Sequence, residues 1–231
     1  MKLNLAFKKG SVFFCLFFFI LGSLQPTAFA QSDGETEALL ERVQKLAFDF
    51  LWQETNPNNG LVKDRAGNFE KDIYVAASIA SVGFALAALP IAVEHKWISK
   101  NEARTRAITS LSFFADKAEH VNGFFYHFLG MNVGKRMWKC ELSSIDSALL
   151  LAGALVAREY FQDAEVTRLV NKIYDRMDFE WMMNGGKTLT MGWKPESGFI
   201  KYRWSEYNEG ILLTLLAMGA KTYPAPPETW D

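Results

Sequence analysis

Apolar positions recur at helical spacing through most of the chain, and two-residue alternation never persists beyond a few residues. Leu39, Leu40, Val43, Leu46, Ala47 and Phe50 predict a helix over 35–55, closed by Asn56-Pro57-Asn58-Asn59-Gly60. Residues 75–96 are apolar on every side, which predicts a buried helix that Pro90 kinks or ends early. Ser99 followed by Glu102 is a capping-box pattern for a helix over 100–119. A second all-round apolar helix is predicted over 143–161. Residues 163–181 read as amphipathic, with Val166, Leu169, Val170 and Ile173 on one side. A sixth helix is expected from a Ser205 cap through Leu216, stopped by Gly219. Segments 123–128 and 199–204 are expected as short strands or hairpins.

Three loops share a beginning: Asn59-Gly60-Leu61, Asn122-Gly123-Phe124 and Ser197-Gly198-Phe199. Each leads through polar and aromatic residues into an apolar helix. Two helices per unit imply successive hairpins in an α/α array or toroid. The same turns also arise singly in unrelated chains, because Gly after Asn or Ser is common in turns.

The first thirty residues read differently. Lys2, Lys8 and Lys9 precede an apolar run over 12–21, followed by Gln25-Pro26 and Ala28-Phe29-Ala30. That order is an export signal with a small-residue cleavage site, and the apolar run is too short to span a bilayer comfortably. The alternative is a buried N-terminal helix. Cys15 lies inside the apolar run behind Phe13-Phe14, where lipid attachment would call for small residues. The expected product is therefore a soluble exported chain over 31–231, periplasmic or extracellular, with no membrane association after cleavage. Removing three lysines shifts the formal charge from −1 to −4, and Cys140 is then the sole cysteine, so no intrachain disulfide forms.

Composition narrows the chemistry. Apolar residues make up 49% and charged residues 22%, the balance of a folded chain. A net charge near zero provides no field for nucleic acid. Three scattered histidines and no zinc spacing argue against a metal site, and no cofactor motif is present. Aromatics reach 14%, with seven Trp, and they gather where loops enter apolar helices. Asp64 and Arg65 precede the helix at 75. Tyr126, His127, Arg136, Trp138 and Glu141 precede the helix at 143, with Asp146 just inside it. Trp193, Glu196, Arg203, Trp204, Glu206, Tyr207 and Glu209 precede the last helix. In an alternating hairpin array these junctions share one rim. Aromatic faces stack on sugar C–H faces, carboxylates and Arg bind hydroxyls, and two carboxyls across a groove run glycosidic hydrolysis. Each acid alone also fits a helix-start role through the macrodipole. Glu141 is different, because it precedes its helix and caps nothing. Glu141 and Asp146, five residues apart, fall about 140° apart on a helix and do not form a dyad on one face. Trp52, Trp97 and Trp181 sit at helix ends and read as core.

At these residues the chain resembles the glycoamylase-like domain family of exported bacterial proteins, including the endo-β-1,2-glucanases of glycoside hydrolase family 144. The resemblance is carried by six blocks in family order. They are Gly60-Leu61-Val62-Lys63-Asp64-Arg65, Ser78-Ile79-Ala80-Ser81-Val82-Gly83-Phe84, Gly123-Phe124-Phe125-Tyr126-His127-Phe128, Glu141-Leu142-Ser143-Ser144-Ile145-Asp146, Pro195-Glu196-Ser197-Gly198-Phe199 and Trp204-Ser205-Glu206-Tyr207-Asn208-Glu209. The resemblance implies an (α/α)6 barrel, a glucan substrate of oligo- or polysaccharide size, and inverting hydrolysis without a metal. It also implies catalytic roles for Glu209, Glu141 and Asp146 and a groove role for Asp64 and Arg65. Glu206 ranks below Glu209, because the family is less strict there. Gly130 stands where the family usually has an acid, and 219–224 departs from the usual segment. Both departures imply a shifted substrate preference.

Six helices are half of twelve, so the resemblance further implies an all-α half barrel, apparently truncated at its C-terminus. Its exposed inner helices would then favour self-association. Three functions follow from this reading: a glucan hydrolase domain active in complete form, a non-catalytic glycan-binding half, and a secreted helical-repeat module that binds protein.

Overall fold

The computed structural model describes residues 33–69 and 72–230. The export signal over 1–30 lies outside the described residues. The chain divides into two units, residues 1–45 and 46–231. In the first, the described stretch is the beginning of helix α1 (Asp33–Gln53), and its Leu39, Leu40 and Val43 are more than half exposed.

In the second unit, Phe48 is the first α1 side chain to enter the core. Strand β1 (Ala76–Ser78) runs directly into α2 (Ile79–Glu94), and α3 (Lys100–Asp116) follows. Next come β2 (His120–Val121), β3 (Phe124–Phe125) and β4 (Phe128–Gly130). Strand β5 (Leu142–Ser143) runs into α4 (Ser144–Phe161), which is followed by α5 (Ala164–Asp175) and the short α6 (Phe179–Met183). Strands β6 (Gly192–Lys194) and β7 (Gly198–Phe199) precede α7 (Gly210–Met218) and a 3-10 turn, Pro227–Thr229. Among the described residues, none of these helices is long and apolar enough to cross a membrane.

The helices form two layers. α2 packs on α4 and α4 on α7, while α3 packs on α5. The expected apolar helices over 75–96 and 143–161 are thus α2 and α4, each shortened by a strand at its start. Serine hydroxyls cap both: Ser78 accepts from the Ser81 N–H, and Ser143 from the Asp146 N–H. The α2–α4 crossing is a backbone contact. A Cβ on Gly153 would collide with the Gly83 carbonyl, and one on Gly83 with the Leu149 carbonyl. Parts of this layer stay open, with Phe84 and Ile91 of α2, Val156 of α4 and Leu215 of α7 exposed.

The strands stitch one rim. β1 pairs with β4 through Ser78↔Phe128, and β5 with β6 through Leu142↔Trp193. Single bridges Lys63↔Ala77, Tyr126↔Leu142 and Thr190↔Arg203 fill the gaps between them. The starts of α2 and α4 therefore face the same edge. The three repeat-loop glycines share a left-handed backbone, Gly60 at φ 71°, Gly123 at 85° and Gly198 at 76°.

Several expectations need correction. The helix predicted over 163–181 is two helices. The loop at Asn122-Gly123 presses on the backbone of Arg176 and Met177, the Asp178 N–H donates to the Asn122 carbonyl, and Asp178 starts α6 by capping the Trp181 N–H. Pro90 does not end its helix, which continues to Glu94. Ser205 caps nothing. Glu206 takes a left-handed φ of 65°, so helix formation waits until Gly210. The capping box at Ser99 and Glu102 is present as read.

The glycine crossing generates a prediction. Gly153→Ala must push α2 and α4 apart, an overpacking cost of at least ~1–3 kcal/mol. At about 2–4 °C per kcal/mol for a domain of this size, its Tm falls by roughly 2–12 °C in a calorimetric melt. Gly34→Ala, where a Cβ meets nothing within 4 Å, leaves the melt unchanged or slightly raised.

Candidate functional site

The rim carries a cluster of acids around one imidazole. His127 sits between β3 and β4. Its N–H donates to the Glu141 carbonyl at 3.0 Å, and its own carbonyl accepts from the Ile79 N–H at the start of α2. The backbone thus fixes the ring between two strand ends. Nδ1 of His127 lies 3.0 Å from Glu141 Oε1, and Nε2 lies 3.5 Å from Asp146 Oδ1. The ring stacks on Phe128 at 3.8 Å. Asp146 is nearly buried in the first turn of α4, where it accepts the Ser143 hydroxyl proton. The 140° separation holds for two helical residues, but Glu141 lies outside α4, so strand and helix bring both acids to the same ring.

Competing effects set the charge of this cluster. Burial disfavours the imidazolium of His127, but Glu141, Asp146 and Asp64 outweigh it and raise the pKa. The hydrogen bond from His127 holds Glu141 below the usual carboxylate range, against its own partial burial. Lys194 on β6 adds to that lowering. A carboxylate held ionised suits proton acceptance better than proton donation.

Flanking this cluster, Asp64 accepts from Arg65 Nε at 2.6 Å and from the Tyr74 hydroxyl at 3.2 Å. Trp138 is 60% exposed and lies 5.2 Å from the Phe128 ring and 6.2 Å from Tyr74. A second cluster is closed on itself. Arg136 grips Glu196 through both terminal nitrogens, at 2.6 and 3.0 Å, and its Nε donates to the Cys140 carbonyl. The guanidinium lies over the buried Tyr126 ring at 4.7 Å. Arg136 pushes Glu196 down to about 2.

The remaining predicted residues divide. Trp193 lies on β6 opposite Leu142, with its ring 5.9 Å from Trp181. Arg203 directs its fork at the carbonyls of Met183 and Thr188, so its donors hold the end of α6. Trp204 donates from Nε1 to Ser144 Oγ at 2.9 Å. Trp204, Glu206 and Tyr207 line a cavity of about 430 Å³. Glu209 is exposed immediately before α7 and makes no capping hydrogen bond. The sequence places His127 among the sugar contacts and, through the Ser143-to-Asp146 spacing, marks Ser143 as a helix cap, but it gives no sign that Phe128 and Lys194 join them. Phe128 and Lys194 are brought in by strand pairing, which left no mark in the spacing.

The described fold is similar to that of solved β-1,2-glucanases. An endo-β-1,2-glucanase from Chitinophaga pinensis, solved with sophorotriose and glucose, superposes with a TM-score of 0.74 at 23% identity, over 84% of this chain and 49% of that one. A β-1,2-glucanase from Parabacteroides distasonis gives 0.74 at 22%, over 84% of this chain and 29% of that one. In sequence, the exo β-1,2-glucooligosaccharide sophorohydrolase (non-reducing end) of Parabacteroides distasonis is 24% identical over 207 residues, covering 84% of this chain and 28% of its own. No protein-family model matches the chain. Similarity in sequence and in fold thus points to the same set of β-1,2-glucan-acting proteins as the sequence blocks do. The chain spans about half the length of the Chitinophaga enzyme and under a third of the Parabacteroides proteins.

The His127–Glu141 contact has a pH signature. Glu141, with its pKa lowered, contributes stability above its unfolded value of ~4.3 and loses it as pH falls through the folded value. His127, with its pKa raised, contributes below ~6.5 and loses its share as pH rises through the folded value. His127→Gln is therefore most destabilised near pH 5–6, by about 1 kcal/mol given the partial exposure of both side chains. The Tm gap to the parent narrows toward pH 9. A gap independent of pH would refute the ionic character of the contact.

Proposed function

We propose that this chain is a glycoside-hydrolase module that acts on β-1,2-glucan by two-carboxylate, inverting hydrolysis. The observation that carries the reading is the His127-centred cluster, in which one imidazole engages Glu141 and Asp146 on a rim flanked by exposed Trp138. The names of the relatives support the glucan. Glu141, ionised by its bond to His127, takes the proton of the attacking water. Asp146, held by Ser143, positions the imidazole and substrate hydroxyls. Glu209, exposed and uncommitted to a cap, donates the proton to the leaving oxygen. Inversion requires water between base and sugar, with the acid across the glycosidic bond. Export through residues 1–30 belongs to the same reading, supported by the order of lysines, apolar run and Ala-x-Ala. N-terminal sequencing of the secreted product then begins at Gln31.

A second reading, glycan binding without turnover, is favoured by one observation: the exposed Trp138 ring on the rim offers a stacking face whether or not the acids beside it act on the substrate. One assay separates the two. Incubated with β-1,2-glucan, the protein releases reducing ends, and proton NMR detects the α-anomer first. Glu209→Gln and Glu141→Gln each lower turnover by ~10²–10⁴-fold with little change in glucan affinity. A β-anomer product would overturn inversion. Full activity in Glu209→Gln would remove it as the acid. Glucan binding without any released ends would establish the second reading.

A further inference from the structure

Three Asn-Gly pairs occur in the chain, at 59–60, 122–123 and 184–185. An Asn side chain followed by glycine is open to attack by the next main-chain nitrogen, because glycine carries no Cβ to shield that nitrogen. The fold treats the three pairs differently.

Asn59 is locked. Its Nδ2 donates to the Met131 carbonyl at 2.9 Å, and its Oδ1 accepts from the Leu61 N–H at 3.0 Å. The nitrogen that would attack belongs to Gly60, which is buried against Ser110 and donates to the Asn56 carbonyl at 2.8 Å. At the second pair the nucleophile is again engaged. Gly123 is buried against the backbone of Arg176 and Met177, and its N–H donates to His120 Nδ1 at 3.3 Å. The Asn122 carbonyl accepts from the Asp178 N–H at 2.9 Å, which fixes the peptide plane between the two reacting groups.

The third pair lies open. Asn184 and Gly185 are both exposed where α6 ends. Among the described residues, no hydrogen bond engages the Asn184 side-chain amide or the Gly185 N–H. A Cβ placed on Gly185 would meet nothing within 4 Å, so space for ring closure is present. Attack requires rotation about the Asn184 ψ from 48°. Two bonds oppose that rotation: the Gly186 N–H to the Met183 carbonyl at 2.9 Å, and a long 3.4 Å contact from Arg203 Nη2 to the Asn184 carbonyl.

We infer that Asn184 is a site of spontaneous deamidation through a succinimide. The Gly185 nitrogen gives up its proton and bonds to Cγ of Asn184. The Cγ–Nδ2 bond breaks, and ammonia leaves with that proton. Water then opens the ring, one molecule entering for each ammonia lost, with no oxidant or other co-reactant. Opening at Cγ gives aspartate. Opening at the main-chain carbonyl gives isoaspartate, in which the chain runs through Cγ and is one methylene longer. Both products add a negative charge at the end of α6. The inference is independent of the proposed hydrolysis.

The test incubates the full chain in mildly alkaline buffer, samples it over days, and follows the three peptides by mass spectrometry, with electron-transfer fragmentation to separate aspartate from isoaspartate. The Asn184 peptide converts first, at least ~10-fold faster than the Asn59 and Asn122 peptides, whose hydrogen bonds must open before either can react. In concentrated urea the three rates converge, because the unfolded chain offers each pair the same freedom. Asn184→Gly suits the left-handed position, keeps the parent melt, and removes the acidic species that accumulates on ion exchange. Conversion of Asn59 or Asn122 as fast as Asn184 in the folded chain would overturn the inference. So would an Asn184 peptide that stays intact while the urea control converts.

Discussion

Everything at the rim depends on how closely α2 and α4 cross. At Gly83 and Gly153 the two backbones touch without side chains between them. Each helix continues backward without a break into a strand, β1 into α2 and β5 into α4, capped by Ser78 and Ser143. The crossing therefore sets the distance between β1 and β5, and only β3 and β4 fill the gap. His127 sits in that filling, tied by backbone hydrogen bonds to Glu141 on one side and to Ile79 on the other. Its imidazole spans two acids because the helices leave it that much room. A rim even an ångström wider would break one of the two contacts, since the longer is already 3.5 Å.

The electrostatics follow from this spacing. Burial alone would keep His127 neutral, and three carboxylates outweigh it. The same hydrogen bond that raises the pKa of the ring lowers that of Glu141. A few residues away, Arg136 and Glu196 satisfy each other completely enough that neither charge is spare. The rim thus holds a neutralised pair beside an acid-rich one, and that contrast separates residues that stiffen the loops from residues with chemistry to offer. Arg203 belongs with the stiffeners, because its donors are bound to main-chain carbonyls around α6.

Ser144 joins the two concave features. Its N–H donates to Met191, its hydroxyl to the Thr190 carbonyl, and it accepts from Trp204. The first residue of α4 therefore anchors β6 and the loop that leads to α7.

By itself the sequence determined the helices with strong local signals: the capping box at Ser99, the all-round apolar runs, and the glycines that open each repeat loop with a turn. These depend on side chains within a few residues of one another. It also located the rim residues, since aromatics and acids gather before each apolar helix. The tertiary structure alone decided which of them meet. The break before α6 comes from the Asn122-Gly123 loop, more than fifty positions away. The late start of α7 follows from Glu206 adopting a backbone conformation that residue type does not announce. Glu141 and Asp146 diverge on helical arithmetic, yet they converge on His127 because one lies just before strand β5 and the other in the first turn of α4. Strand pairings between distant segments carry no local energetic signature, so a chain read residue by residue could name the participants in this site but not its geometry.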